Sequence, residues 1–352
     1  MLVIFAAPIL LITILVAKKT NLKQLFNREY LPLLYFIVFY ILSTFINFHS
    51  FKLSSLAYTL NFTLTFFILS HLLKMNINMI AFKRWLIIII TIFFYSLILQ
   101  QLGILFNIDN FFNRSSDITY NIQENFLFRL NSLATEPSYA ATIISICFYS
   151  YLKLNRIKNN NVYSINNFIN DSFIWFMYLY QIFFYSSVFG ILFLLLIMSY
   201  LINIKSIKNW IFLFFILILF LSMKVDIIAL NRLTNIFENM EFGNIEGFSQ
   251  IDHSGSIRIL PTYFYITNFD FFNYHSYIGY GLDYTQNFIR TLIPGIEEKT
   301  PFGGLLPTLV FDFGLLGFIL LMRFIFKFAL TRLISFETAF IFLVMVNATL
   351  NT

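Results

Sequence analysis

Of 352 residues, 59% are hydrophobic and only 11% charged, against roughly 45–50% and about 25% in ordinary soluble domains. This balance argues against a soluble enzyme and predicts an all-α, polytopic integral membrane protein. The net charge of +6 would suggest nucleic acid in a soluble domain, but in a membrane chain the cations must first be assigned to a side of the bilayer.

Apolar runs cover Leu2–Ala17, Leu31–Phe48, Leu53–Leu73, Leu86–Phe106, Tyr139–Leu154, Phe173–Tyr185, Val188–Ile202, Trp210–Met223, Phe302–Phe326 and Ile334–Leu350. A membrane-spanning helix needs roughly 20 apolar residues, so about ten transmembrane helices in a single membrane domain, residues 1–352, are expected. The block from Phe173 to Ile202 reads as two helices, because Ser186, Ser187 and Gly190 offer a place for a tight hairpin.

With the N-terminus outside, the predicted inner loops carry 15 of the 23 Lys and Arg residues. The outer side keeps Lys52, Arg114, Arg129, Lys224, Arg232, Arg258, Arg290 and Lys299. The short loops thereby follow the bias of cations toward the cytoplasm, and merging the two helices at Ser186 would spoil the count. Trp85 and Trp210 fall at predicted inner boundaries, as interfacial anchors do, with Trp175 close to one. Most cations then face lipid headgroups, and no nucleic-acid partner is expected.

Two predicted outer loops are long, 107–138 and 224–300, and most of the acidic residues collect there. Connections of that length usually carry function. The chain has no G-x-x-x-x-G-K-[ST], H-E-x-x-H or G-x-S-x-G, so no nucleotide cradle, zinc helix or nucleophile elbow of those types is expected. The sole cysteine, Cys147, allows neither an intrachain disulfide nor a thiolate zinc site. No metal and no cofactor are expected.

The remaining polar constellations are arginines and carboxylates near the membrane surface. Arg129 and Glu136 flank the entry to the run from Tyr139, where Pro137 and Ser138 form a helix start that favours anions. The pair reads either as a helix cap with an ion pair or as an anion clamp with an acid or base beside it. In the second loop His253-Ser-Gly-Ser-Ile-Arg258 suits a turn presenting backbone amides. An aromatic stretch from Ile259 to Tyr274 and Gly279-Tyr-Gly281 follow, and Arg290 adds a further external cation. The aromatic stretch suits interfacial anchoring or stacking on sugar rings.

Several segments in this order resemble a known family. They are R-x(6)-E-P-S over 129–138, S-S-x-x-G over 186–190, S-G-S-I-R over 254–258, I-G-Y-G-L over 278–282 and F-G-G-L-L-P-T-L-V-F-D-F-G-L-L-G over 302–317. Together they are similar to the O-antigen polymerase (Wzy-type) and O-antigen ligase superfamily. The resemblance implies a multi-pass protein of the bacterial cytoplasmic membrane whose active site faces the periplasm or exterior. It implies a glycosyltransferase that polymerises undecaprenyl-pyrophosphate-linked repeat units into O-antigen, capsular or exopolysaccharide. The implied partners are the lipid-linked glycan donor and acceptor, membrane lipid, a chain-length regulator and a flippase. Ligases of the superfamily carry a histidine shortly before the element that here reads Leu305 to Gly317, whereas this chain has Gly303 and Gly304 there. That favours polymerase; the alternatives are the ligase and a lipid-linked oligosaccharide flippase or transporter.

On this reading Arg129, Arg258 and Arg290 bind the substrate pyrophosphate, and a general base takes the acceptor proton. Glu136 is the first choice for the base, with His253, His275 and Asp312 as alternatives.

Overall fold

The computed structural model describes residues 31–47, 56–57, 79–106, 130–134, 136–158, 165–201, 261–285, 305–329 and 336–347. Among them there are helices and turns and no strand. The helices are α1 (Leu31–Ile46), α2 (Met79–Leu105), α3 (Pro137–Lys158), α4 (Ile165–Asn170), α5 (Ser172–Tyr185), α6 (Val188–Leu201), α7 (His275–Ile278), α8 (Leu305–Ala329) and α9 (Phe336–Asn347). They fall into two compact units, one from Met1–Ile77 with Asn239–Thr352 and one from Asn78–Glu238.

Two of the described helices are long and apolar enough to cross a membrane: α2, with 27 residues, and the 19 residues Leu309–Lys327 of α8. The latter has the apolar length of about 17–25 residues that a span needs. Leu31–Ile46, Val188–Tyr200 and Phe336–Val346 are apolar but shorter. The expected runs Leu2–Ala17 and Trp210–Met223, and all but two residues of Leu53–Leu73, lie outside the described residues. The described residues thus carry two full-length span candidates by length and composition, and the expected number of about ten concerns the whole chain.

In the second unit, α3 packs against α2, α5 and α6. It starts where the sequence predicts. Pro137 occupies the first turn, where its missing N–H costs nothing, and the Glu136 carbonyl accepts from the N–H groups of Tyr139 and Ala140. Phe148 stacks on Tyr178 at 4.1 Å and meets Trp175 edge-on at 4.6 Å. Trp175 is only 1% exposed, so it is a core residue of the bundle and not the interfacial anchor expected of it. Trp85 is 64% exposed.

The chain reverses between α5 and α6. Ser186 takes the left-handed conformation (φ 44°, ψ 44°), its N–H donating to the Phe183 carbonyl. A Cβ added at Gly190 would lie 3.5 Å from the Ile182 side chain. In a straight helix eight residues would separate these positions by about 12 Å, so the two-helix reading of this block describes the structure. The same added Cβ would lie 3.2 Å from the Ala141 Cβ, because small residues let α6 close on α3.

Several polar side chains within this unit pair with one another or with backbone, as helices in an apolar surrounding favour. Gln100 donates to the Asn131 side chain and accepts from the Ser132 N–H. The Gln181 amide donates to the Ile90 carbonyl. Lys83 donates to Asn155, which donates in turn to Asp171, and Asp171 also accepts from the Tyr151 hydroxyl.

In the first unit, α8 packs against α1 and α9 and is closed by α7. Leu33, Phe36 and Tyr40 recur on α1 at helical spacing and are buried against Leu309, Phe313 and Phe324 of α8. The Tyr40 and Phe313 rings are 4.7 Å apart.

Candidate functional site

The first unit holds a built site where a broken helix meets a tight loop. α8 is interrupted at Gly314, whose backbone (φ 61°, ψ −166°) leaves the helical region. The carbonyls just before the break turn to the loop: Phe311 accepts from the Tyr280 N–H at 2.9 Å and Asp312 from the Gly281 N–H at 3.1 Å. Backbone of this kind survives beside a membrane span only when neighbouring groups satisfy it.

The Asp312 side chain secures the other end of the loop. Its carboxylate, fully buried, accepts from the N–H of Asp283 at 3.1 Å, the N–H of Thr285 at 2.9 Å and the hydroxyl of Thr285 at 2.6 Å. Asp283 itself is held at positive φ (67°). From α1, the Ser43 hydroxyl donates to the Ile278 carbonyl at 2.9 Å. The loop 278–285 is thus fixed from both α1 and α8.

Two glycines permit the crossing. Gly279 has φ 80°, and a Cβ there would lie 2.2 Å from the Asp312 carbonyl oxygen. A Cβ at Gly314 would lie 2.6 Å from the Gly279 nitrogen and the Tyr277 carbonyl. I-G-Y-G-L and F-D-F-G-L-L-G are therefore interlocked through backbone, although about 30 residues separate them in sequence.

The loop presents an aromatic column. The His275 ring stacks on Tyr280 at 4.5 Å and 9°, and Tyr280 stacks on Tyr284 at 4.5 Å and 15°. All three side chains are half-buried. His275 Nδ1 lies 2.9 Å from the Gly279 carbonyl. A carbonyl only accepts, so Nδ1 donates in this bond, and in the neutral ring Nε2 is then the acceptor. No hydrogen bond to Nε2 is present among the described residues.

Behind the column, Tyr265 donates its hydroxyl to the Ser276 carbonyl and sets its ring edge-on to Phe311 at 5.7 Å. Burial pushes this hydroxyl up to about 12, with smaller upward contributions from Tyr280 and Tyr277 opposed by the Leu315 N–H. It stays a donor throughout the physiological range. Burial, with Tyr280 beside it, also raises Tyr284.

Of the residues singled out in the sequence, Arg129, His253, Arg258 and Arg290 lie outside the described residues. Glu136 belongs to the second unit, where its backbone carbonyl starts α3 and its carboxylate accepts from the Ser138 hydroxyl at 3.2 Å. His275 and Asp312, secondary candidates for the base, are brought together with Gly279 and Tyr280. Thr285 and Tyr284 attract no attention in the sequence by themselves. The left-handed glycines in I-G-Y-G-L and F-G-L-L-G were the available signal. Among the described residues no group of three His, Cys, Asp or Glu side chains converges as a metal site would require.

No family model matches the chain, and no curated protein or solved structure matches it.

Proposed function

We propose that the chain is a polytopic membrane glycosyltransferase, a polysaccharide polymerase acting on lipid-pyrophosphate-linked repeat units at the outer face of the cytoplasmic membrane. The observation that carries this reading is the interlocking of I-G-Y-G-L with F-D-F-G-L-L-G at Gly279 and Gly314. Two of the segments that carry the resemblance meet in one element, and that element holds a histidine with an available nitrogen.

In the proposed reaction an acceptor hydroxyl oxygen forms a bond to the donor's anomeric carbon. The bond from that carbon to the pyrophosphate oxygen breaks, and the lipid pyrophosphate leaves with the electron pair. Charge builds on the leaving group, where Arg129, Arg258 and Arg290 would stabilise it. The hydroxyl proton needs an acceptor. Asp312 has both carboxylate oxygens engaged by Asp283 and Thr285 and is fully buried, which assigns it to holding the loop. His275 fits the role best, since the Gly279 carbonyl holds Nδ1 as the donor and so makes Nε2 the acceptor of the neutral ring. Tyr280 and Tyr284 would offer apolar ring faces of the kind that pack on sugar rings.

The test uses purified protein and lipid-linked repeat units, with glycan ladders and released lipid pyrophosphate as readouts. His275→Gln keeps a polar side chain but removes the base, and should slow chain extension by about 10²- to 10⁴-fold. Arg129→Ala and Arg258→Ala should each cost on the order of 10²-fold or more. Undiminished ladders in all three variants would overturn the residue roles, and absence of ladders from the unaltered protein would overturn the polymerase reading.

A further inference from the structure

The segment after the helical residues 261–267 projects an apolar tip. Phe271 is 75% exposed, Phe272 is 99% exposed, and Ile266 and Tyr274 lie open beside them. Exposed apolar clusters of this kind mark interaction or membrane surfaces. This tip is rigidly built. The Phe272 N–H donates to the Asp270 carboxylate at 2.9 Å, the Asn273 N–H closes a turn on the Asp270 carbonyl, and the Tyr277 hydroxyl donates to the Phe271 carbonyl at 3.2 Å. Phe269 backs it from behind, with ring contacts to Phe271 and Tyr277 at 5.2 and 5.7 Å. Two adjacent phenylalanines are held outward by a turn whose polar groups are satisfied inward.

The depth of the tip follows from its attachments. Tyr265 sits edge-on to Phe311, and the Tyr280 and Gly281 amides bind the Phe311 and Asp312 carbonyls. Residues 311 and 312 are in the first turn of the 19-residue apolar stretch Leu309–Lys327. The tip is therefore tethered at one end of a candidate membrane span. The remote end of that stretch carries Arg323 and Lys327. Further along the same helix, Leu316 and Ile319 are exposed and apolar, as a lipid-facing flank would be.

We infer that residues 266–274 form an interfacial wedge, with Phe271 and Phe272 inserted among lipid chains at the boundary between headgroups and hydrocarbon. The occupant is bilayer lipid: the patch is tethered at the end of the span through Phe311 and Asp312 and has the aromatic character of membrane interfaces. The inference rests on the membrane-spanning part of the proposed function and is independent of the chemistry. Its consequence is that the His275–Tyr280–Tyr284 column stands at headgroup depth, where a lipid-linked pyrophosphate would be presented.

The experiment is site-directed spin labelling of the full chain in nanodiscs of phosphatidylethanolamine and phosphatidylglycerol. The sole cysteine is removed by Cys147→Ala, and nitroxides are placed separately at Phe272→Cys, Phe271→Cys and Ile319→Cys. Collisions with molecular oxygen and with a neutral water-soluble nickel chelate are compared at each position. The expected result is gain of oxygen collisions and loss of nickel collisions at positions 271 and 272, at a shallower depth than at 319. Nickel collisions at 271 and 272 matching those of free label in water would overturn the wedge. Loss of both colliders there, the signature of a covering protein surface, would overturn it as well. If 319 also reads as aqueous, the spanning assignment of α8 fails; if 319 reads as lipid while 271 and 272 read as water, the wedge alone fails.

Discussion

A methyl group added at Gly279 would sit 2.2 Å from the Asp312 carbonyl oxygen, on a backbone already at φ 80°. Neither partner can yield cheaply, because the Asp312 carbonyl is bonded to Gly281 and its side chain to Asp283 and Thr285. Holding a non-glycine residue at such a φ costs about 1–3 kcal/mol before any overlap is counted. Gly279→Ala should therefore lower the thermal unfolding midpoint clearly, whereas Tyr284→Phe, which keeps the stacked ring, should leave it nearly unchanged. Circular dichroism melts in detergent or nanodiscs read both. At Tyr265 burial favours the neutral phenol in the fold, raising it from the usual 10.0 to about 12. A group whose folded value is raised adds stability below its unfolded value and loses it as pH rises through the folded one. Stability should thus fall between pH about 10 and about 12, and Tyr265→Phe should flatten that fall at the cost of one hydrogen bond, about 0.5–1.5 kcal/mol at neutral pH.

At the scale of the element, the reversal at Ser186 shows how a single backbone conformation decides connectivity. The left-handed region costs an L-residue roughly 1–2 kcal/mol, offset here by the Ser186 N–H and hydroxyl donating to the Phe183 carbonyl. Ser186→Gly should be tolerated. Ser186→Val, which loses the hydroxyl and adds a branched Cβ at positive φ, should destabilise by about 2 kcal/mol or more, measurable by chemical denaturation of the purified chain. The break in α8 at Gly314 follows similar logic with another outcome. At Ser186 the chain turns back; at Gly314 the helix resumes, and the interruption serves to bind loop 278–285. The glycine pattern in G-L-L-G was readable, but its meaning depends on Tyr277 and Gly279, which lie far away in sequence.

For the whole molecule, the charge distribution makes a directional prediction. Alkaline phosphatase fused after Phe106 or after Ser187 should be active, and fused after Lys158 inactive, if the cations of the short loops face the cytoplasm. Fluorescent protein fusions should give the reciprocal pattern, and the opposite result at Ser187 would invert the orientation of everything after it. Ser186 and Ser187 are themselves buried, so a fusion reads this position better than chemical labelling of a cysteine would.

Composition and periodicity by themselves determined the helical, apolar character of the described segments, because burial of apolar surface and internal pairing of backbone groups are local demands that each run meets on its own. They also determined the helix start at Glu136–Ser138 and the break at Ser186, where capping and turn chemistry act within a few residues. Only the tertiary structure decided that Trp175 is core, since amphipathic residues look alike at a boundary and in a bundle. Only it decided that Asp312 holds a loop while His275 Nδ1 is turned to the Gly279 carbonyl. A carboxylate's role depends on the donors that reach it, and Asp283 and Thr285 reach Asp312 across 29 and 27 residues of chain.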